Sequence, residues 1–215
     1  MPPRTLIIDT ATPACSVALI EAGRVTLGYE HEVVGRGHAE RLIPMIASLP
    51  DGGRAEHILV DVGPGSFTGI RVGIAAARGL ALGWGASVSG YSSLSLIAMD
   101  YFLFGQCGDT AFAVVIEGGH GEVFMQRFAG RPDFGALDEP ASLKPADAIA
   151  RLDGMEAVGT GVERLVDLPP AQRGPALLPW ALLARELPES YRMLPPHPFY
   201  GRAPDAKLPG GVVPA

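Results

Sequence analysis

Residues 58–81 read ILVDVGPGSFTGIRVGIAAARGLA, and this stretch decides the fold. It begins with a short apolar, β-branched run of the kind that a parallel sheet buries on both faces. Gly63, Pro64 and Gly65 end that strand, and Ser66 or Thr68 can then cap the first turn of a helix with a hydroxyl group. A strand that leads through a glycine loop directly into a helix predicts an α/β protein.

The predicted helix carries a stripe of small residues at every fourth position, formed by Gly69, Gly73, Ala77 and Ala81. Such a stripe lets another backbone approach closely, and two interpretations stay open: it packs on the chain's own sheet, or it contacts a helix of a partner. A bare phosphate site at the helix start is a third candidate, but the segment matches neither GxxxxGK nor GxGxxG. Two arginines interrupt the apolar run well short of the roughly 20 residues that a membrane helix requires.

The composition is that of an ordinary globular chain of 215 residues, 47% hydrophobic and 19% charged, with a formal net charge of -6. This negative balance disfavours a primary nucleic-acid surface, which needs a basic footprint. Cys15 and Cys107 lie far apart and outside any metal-binding spacing, which predicts reduced thiols. The first residues carry no hydrophobic leader, so we expect a cytoplasmic protein without a membrane segment.

Hydrophobic patterning over the first half of the chain predicts the element order βββαβαβα. The strands are predicted at residues 6–9, 16–20, 25–32, 58–62 and 87–91, and the helices at residues 38–49, 68–84 and 92–104. This order, with parallel strands at its end, is the ribonuclease H-like arrangement of the actin-like ATPase (ASKHA) fold.

A weaker copy of the pattern follows. It comprises strands at residues 111–117, 122–128 and 157–161 and helices at residues 144–152 and 180–187. We therefore predict two ribonuclease H-like lobes: residues 1–107 form an N-terminal lobe with partner-binding helices, and residues 108–215 form a reduced C-terminal lobe with a proline-rich tail. The turn between the first two strands of this half, which contains Glu117 and His120, is predicted to be structural rather than catalytic.

Four segments together resemble the TsaB (YeaZ) family: IDTAT with CSVAL at residues 8–19, His38 with RLIPM at residues 41–45, GPGSFTGIRVG at residues 63–73, and GEVF at residues 121–124. The resemblance extends to the ending at residues 200–206. It implies a scaffold and activator that binds a TsaD-like carbamoyltransferase. That partner modifies adenosine 37 of tRNAs reading codons that start with A, so this chain would meet tRNA only indirectly, and a TsaE-like ATPase would join through the complex.

Catalytic groups are missing from the places where the family resemblance would put them. TsaD-like catalysts hold a metal partly through two histidines four residues apart on the helix after the strand at residues 87–91, whereas this chain reads SSLSL at residues 92–96. Ser66 does not stand in a GxSxG nucleophile elbow. We therefore expect no catalytic residue, no metal and no cofactor in this chain.

A vestigial nucleotide site is predicted from Asp9, Thr10, Gly65 and Ser66. In kinases and ATPases of this superfamily, an Asp on the first strand and a glycine-containing hairpin handle the nucleotide phosphates. The hairpin after Asp9 has no glycine, which hinders close backbone approach to a phosphate, and Asp9 can instead cap the turn. The alternative function is a small nucleotide-binding ATPase or kinase of the actin-like superfamily.

The expected contact with the TsaD-like partner is the surface of the helices at residues 38–49 and 68–84, because the resemblance implies a helical-bundle interface. Its predicted residues are His38, Arg41, Leu42, Met45, Ile46, Leu49, Gly69, Ile70, Gly73, Ala77 and Ala81. The same surface could join two copies of the chain as a homodimer, and we expect homodimer and heterodimer to compete.

Overall fold

The computed structural model describes residues 2–105 and 107–199, and it confirms the predicted fold class. Its first sheet has the strand order β3-β2-β1-β4-β5. The strands are β1 (Arg4–Asp9), β2 (Ala14–Glu21), β3 (Val25–Val33), β4 (His57–Asp61) and β5 (Ser87–Tyr91). β1, β4 and β5 run parallel, and β2 and β3 form antiparallel hairpins beside them. This is the ribonuclease H-like topology of the actin-like fold.

Three helices cover the two faces of this sheet: α1 (His38–Ser48), α2 (Phe67–Trp84) and α3 (Ser93–Phe104). α1 and α2 lie on one face, where their apolar residues pack on Leu6, Ile8 and Val60. α3 lies on the other face with a 3₁₀ turn at Ala181–Glu186, and both pack on a cluster that contains Ile7 and Leu59. β1 and β4 are therefore buried on both sides, as their apolar sequences predict, whereas the edge strand β5 is buried only at its end.

The second sheet has the order β8-β7-β6-β9 and belongs to the smaller lobe. Its strands are β6 (Phe112–Glu117), β7 (Val123–Phe128), β8 (Ala141–Leu143) and β9 (Glu156–Val158), and its helix is α4 (Pro145–Leu152). α3 packs on one face and α4 on the other. The short strand β8 was not predicted, because three residues carry too little periodicity to be recognised.

The chain after the second sheet returns to the first one. The α-helix predicted at residues 180–187 is a 3₁₀ turn, Ala181–Glu186, which packs on the first sheet with the following turn at Glu189–Arg192. Most of the proline-rich tail and the motif at residues 200–206 lie outside the described residues. Within the described ranges, no helix is long and apolar enough to cross a membrane.

Candidate functional site

Three buried polar side chains meet at the carboxyl ends of neighbouring parallel strands. Asp9 ends β1, Asp61 ends β4 and Tyr91 ends β5, and all three are fully buried. The strand register places Asp61 opposite Tyr91, and Ile8 opposite Val60. Because the carboxyl ends of parallel strands meet at one edge of the sheet, this is the place where open α/β folds bind ligands.

Asp9 and Asp61 lie at the neighbouring ends of β1 and β4, close enough for each to influence the pKa of the other. Burial and the charge of Asp61 raise the pKa of Asp9 well above its usual range. Burial raises the pKa of Asp61 to about 6, and hydrogen bonds from Ser93, Asp9 and the Gly63 N–H oppose that rise. Both carboxyl groups therefore bind a proton more readily than an exposed carboxyl group does.

The remaining lone pairs of the two carboxyl groups are satisfied within the chain. Tyr91 Oη donates to Asp9 Oδ2 at 2.9 Å. The Gly63 N–H donates to Asp61 Oδ1 at 2.6 Å, and Ser93 Oγ donates to Asp61 Oδ2 at 2.6 Å. Among the described residues, the hydrogen bonds and ion pairs give neither carboxyl group a cationic partner. The cluster is a closed network that ties β1, β4 and β5 to the start of α3.

The amino-terminal end of α2 is occupied by the chain itself. The Ser66 N–H donates to the Ala11 carbonyl oxygen at 2.7 Å, and Ser66 Oγ accepts from the Gly69 N–H at 3.2 Å, so Ser66 is the predicted N-cap. Thr10 Oγ1 donates to the Gly69 carbonyl oxygen at 2.8 Å. Of the N–H groups at this helix start, which could cradle a phosphate, that of Ser66 is therefore bound by the loop after β1 and that of Gly69 by the cap.

Glycines are required in this loop because two segments of backbone touch. A Cβ atom on Gly65 would overlap the Ala11 carbonyl oxygen, and one on Gly69 would overlap the Thr10 carbonyl oxygen. At these glycines the chain's own β1–β2 loop lies as close to the backbone as a ligand would lie in a phosphate-binding loop.

The four residues predicted as a vestigial nucleotide site do lie together. The weak hydrogen bond from the Ala11 N–H to Asp9 Oδ1, at 3.4 Å, supports the interpretation that Asp9 caps its turn. Sequence reasoning missed Asp61, Tyr91 and Ser93, which complete the network. The signal for Asp61 was available, since a carboxylate that ends a buried strand beside β1 must lie near Asp9.

The predicted partner residues are mostly covered within the chain, and their role as direct contacts stays a prediction. Those buried between α1, α2 and the sheet are Leu42, Met45, Ile46, Leu49, Gly69, Ile70, Gly73, Ala77 and Ala81. A Cβ atom on Gly73 would lie 2.5 Å from Thr10 Oγ1 and 3.5 Å from Val60 Cγ2, so the stripe packs on its own sheet. His38 is buried as well, and its Nε2 lies 2.8 Å from the Thr12 carbonyl oxygen.

The opposite side of the same two helices is exposed. Arg41, the one predicted contact that lies there, pairs with Glu32. The large apolar residues on this side are Ile43, Phe67 and Leu82, which are 50%, 55% and 88% exposed. Three small residues, Ala75, Gly79 and Gly83, follow one another along α2 at every fourth position. We call these six apolar and small residues the outer helix face.

A cleft of about 850 Å³ separates the two lobes. It is bounded by the end of β4, the start of α3 and Gln126 of β7. Its lining includes the carboxylates Asp138 and Glu139, and among the described residues it includes no lysine or arginine. A cleft without cations is poorly suited to the phosphates of a nucleotide.

A metal site is not evident in the described ranges, where no three His, Cys, Asp or Glu residues lie close enough together to hold an ion. The start of α3, where the family resemblance would place a histidine pair in a catalyst, is built from serines. Ser92 Oγ caps α3 by accepting from the Leu94 N–H at 3.2 Å, and Ser93 binds Asp61.

The fold and this site define a protein of the actin-like ATPase class in which the chain's own backbone and hydroxyl groups fill the phosphate-binding end. A family model described as TsaD, tRNA N6-adenosine threonylcarbamoyltransferase, matches residues 26–172. The Escherichia coli tRNA threonylcarbamoyladenosine biosynthesis protein TsaB is 36% identical over 180 residues, which cover 77% of this chain and 74% of that protein.

A solved structure agrees with the sequence matches. YeaZ from Pseudomonas aeruginosa superposes with a TM-score of 0.71 and 31% identity, covering 85% of this chain and 89% of that one. The Haemophilus influenzae TsaB is 34% identical over 73% of this chain and 71% of its own length. This chain belongs to the TsaB (YeaZ) family, which confirms the resemblance inferred from its motifs.

Proposed function

We propose that this chain is a non-catalytic subunit of the machinery that makes threonylcarbamoyladenosine in tRNA, and that it binds and activates a TsaD-like carbamoyltransferase. The relatives named for this biosynthesis support the pathway. The complex acts in the cytoplasm, a TsaE-like ATPase joins it through the assembled subunits, and this chain meets tRNA only indirectly.

The non-catalytic part of the proposal rests on the amino-terminal end of α2, where groups of the chain itself bind the helix N–H groups. A nucleotide phosphate would need the N–H groups that already bind the Ala11 carbonyl oxygen and Ser66 Oγ. Asp9 and Asp61 are fully buried, so neither carboxyl group reaches a substrate. A catalyst must place its acid, base or metal at the reacting atoms, and this site does not.

The surface that we propose for the partner is the outer helix face. Glycine in a helix interior costs up to about 1 kcal/mol relative to alanine. Gly79 and Gly83 have no heavy atom within 4 Å of an added Cβ, so contacts inside this chain do not offset that cost. Close approach of a partner helix does offset it. Leu82 supplies apolar area beside the glycines, and Ile43 of α1 is an exposed apolar residue as well.

Reconstitution tests the function. We expect tRNA modification by a TsaD-like enzyme, with its TsaE-like ATPase and a supplied threonylcarbamoyl-adenylate, to require this chain. We expect the purified chain alone to show neither ATP turnover nor stoichiometric metal. Full activity without the chain would overturn the activator role, and appreciable intrinsic ATPase activity would favour the kinase-like alternative.

Charge substitutions test the surface. Ile43→Glu and Leu82→Glu should each lower the affinity for the TsaD-like partner at least about tenfold, because a carboxylate would be desolvated in the interface. Val166→Glu is the matched control, since Val166 is also an exposed apolar residue, 75% exposed, but lies in the smaller lobe. Equal binding by all three variants would exclude the outer helix face.

Self-association provides a second measurement on the same face. If two copies also meet there, light scattering should show a homodimer that disappears as the TsaD-like partner is added. An assembly in which the homodimer contact on this face persists beside bound partner would contradict the competition.

A further inference from the structure

A second cavity lies at the opposite end of the first sheet from Asp9 and Asp61. It measures about 400 Å³ and is lined by the beginnings of β1, β4 and β5, through Thr5, His57 and Ser89. Arg185 and Arg192, carried by the two 3₁₀ turns that follow residue 180, line its other side. The proposed function uses none of these residues.

Arg192 is the distinctive group in this cavity. Its Nε is buried and has no hydrogen-bond partner. In the described part of the chain, no carboxylate lies within 4.0 Å of its guanidinium group. A partly buried cation without an acceptor is costly, so an anion in the cavity would stabilise it.

The neighbours of Arg192 leave room for that anion. The His57 ring hydrogen-bonds to Ser87 Oγ at 2.8 Å and to Ser89 Oγ at 3.0 Å. Burial lowers the pKa of His57, and the charge of Arg192 lowers it further, so the imidazole is neutral at pH 7 and adds no competing charge. Ser89 Oγ donates to the Arg192 carbonyl oxygen at 2.6 Å, which fixes this turn to β5.

Arg185 is held in place at the side of the cavity. Its Nε donates to Glu186 Oε1 at 2.9 Å, and its terminal nitrogen contacts Thr26 Oγ1. Glu189 also lines the cavity, but in the described ranges no ion pair within 4.0 Å joins it to either arginine. The open donors are therefore those of Arg192, with a second cation close by.

We propose that this cavity binds a small oxyanion, a phosphate or carboxylate group, on the guanidinium group of Arg192. The planar donor fork of arginine matches both groups and can hold them through two parallel hydrogen bonds. The cavity has room for a phosphate ester or a small carboxylic acid. An anion bound there would pin the turn at Glu189–Arg192 against β5, far from the outer helix face.

The test uses His57 as the reporter and the full chain as the protein. Inorganic phosphate and acetate are titrated separately while NMR follows the His57 imidazole, identified by its loss in His57→Gln. Phosphate should raise the pKa of His57, because it cancels the effect of the Arg192 charge. The dissociation constant should be on the order of 1 mM. A response to acetate alone would identify a carboxylate as the occupant.

Substitutions separate this site from general salt effects. Arg192→Gln should abolish the response, Arg192→Lys should retain part of it, and Arg164→Gln should retain all of it, since Arg164 is an exposed arginine of the other lobe. Thermal unfolding checks that each variant is folded. No shift of His57 with either anion in the unsubstituted chain, or an equal shift in folded Arg192→Gln, would overturn the proposal. Partner binding and tRNA modification are measured separately, so failure here leaves the proposed function standing.

Discussion

Replacing Gly73 with leucine separates packing on the chain's own sheet from contact with a partner. The Cβ atom alone would lie 2.5 Å from Thr10 Oγ1 and 3.6 Å from Ile8 Cγ2, and the rest of the side chain has no space. Overpacking of this kind costs roughly 1–3 kcal/mol. Displacing Thr10 also threatens its hydrogen bond to the Gly69 carbonyl oxygen, which is worth about 1 kcal/mol.

Gly79 is the matched control on the same helix. Nothing lies within 4 Å of an added Cβ there, so Gly79→Leu should keep the fold and gain up to about 1 kcal/mol of helix propensity. For a chain of this size that gain raises the unfolding midpoint by roughly 2–4 °C. At a close helix–helix contact, however, the same side chain should weaken partner binding about five- to 150-fold.

Two measurements on each variant decide the matter: urea unfolding of the free chain and titration with the TsaD-like partner. Gly73→Leu should lower the free energy of unfolding by roughly 1–3 kcal/mol, and Gly79→Leu should lower partner affinity without loss of stability. Unchanged stability in Gly73→Leu would refute the packing argument. Unchanged affinity in Gly79→Leu would show that the partner does not approach α2 closely.

Three further predictions concern the buried carboxyl pair, the cap and the hairpin turn. Because the folded-state pKa values of Asp61 and Asp9 are both raised, that of Asp61 to about 6, the stability that the pair contributes is fully present below about pH 4 and is lost as the pH rises through about 6 and beyond. Asp9→Asn, which cannot titrate, should remove the part of this decline that Asp9 contributes to urea unfolding, while the part that burial of Asp61 causes should remain. Ser66→Ala should lower the free energy of unfolding by about 1 kcal/mol, because the Gly69 N–H loses its acceptor, whereas a loss near zero would question the cap. Glu117→Gln and Gly119→Arg should leave tRNA modification by the reconstituted complex nearly unchanged. The Glu117–Arg164 pair is exposed, and an added Cβ on Gly119 meets nothing within 4 Å. A loss of activity beyond tenfold in a folded variant would show that the turn acts in the reaction.

The element order could be predicted from the sequence because each signal is local. The continuous apolar run before Gly63, the cap at Ser66 and the period of the helices all lie within windows of one element. The site could be predicted only in part. Asp9 could be identified because it ends a strand in a family motif. Asp61 and Tyr91 lie 52 and 82 residues further along the chain and become its partners only through strand pairing.

The stripe on α2 shows a different limit of sequence reasoning. A period of four residues establishes that Gly69, Gly73, Ala77 and Ala81 share a face, but it does not say what covers that face. Two stripes of small residues run along α2, one against the sheet and one on the outer helix face, and periodicity describes both equally well. The structure distinguishes them by burial and by the short distance from Gly73 to Thr10.

A glycine-rich loop is ambiguous in a similar way, because its sequence does not say what its N–H groups bind, and it need not bind phosphate. Free N–H groups at a helix start require an acceptor, and a phosphate oxygen, a carbonyl oxygen or a serine hydroxyl can each provide one. Close approach requires glycine in every case. In this chain the acceptors are the Ala11 carbonyl oxygen and Ser66 Oγ, so the loop keeps the sequence character of a phosphate cradle while its donors stabilise the fold. A ligand could reach these N–H groups only if the contacts were broken. A nucleotide-dependent role would therefore first appear as a loss of stability in the loop after β1.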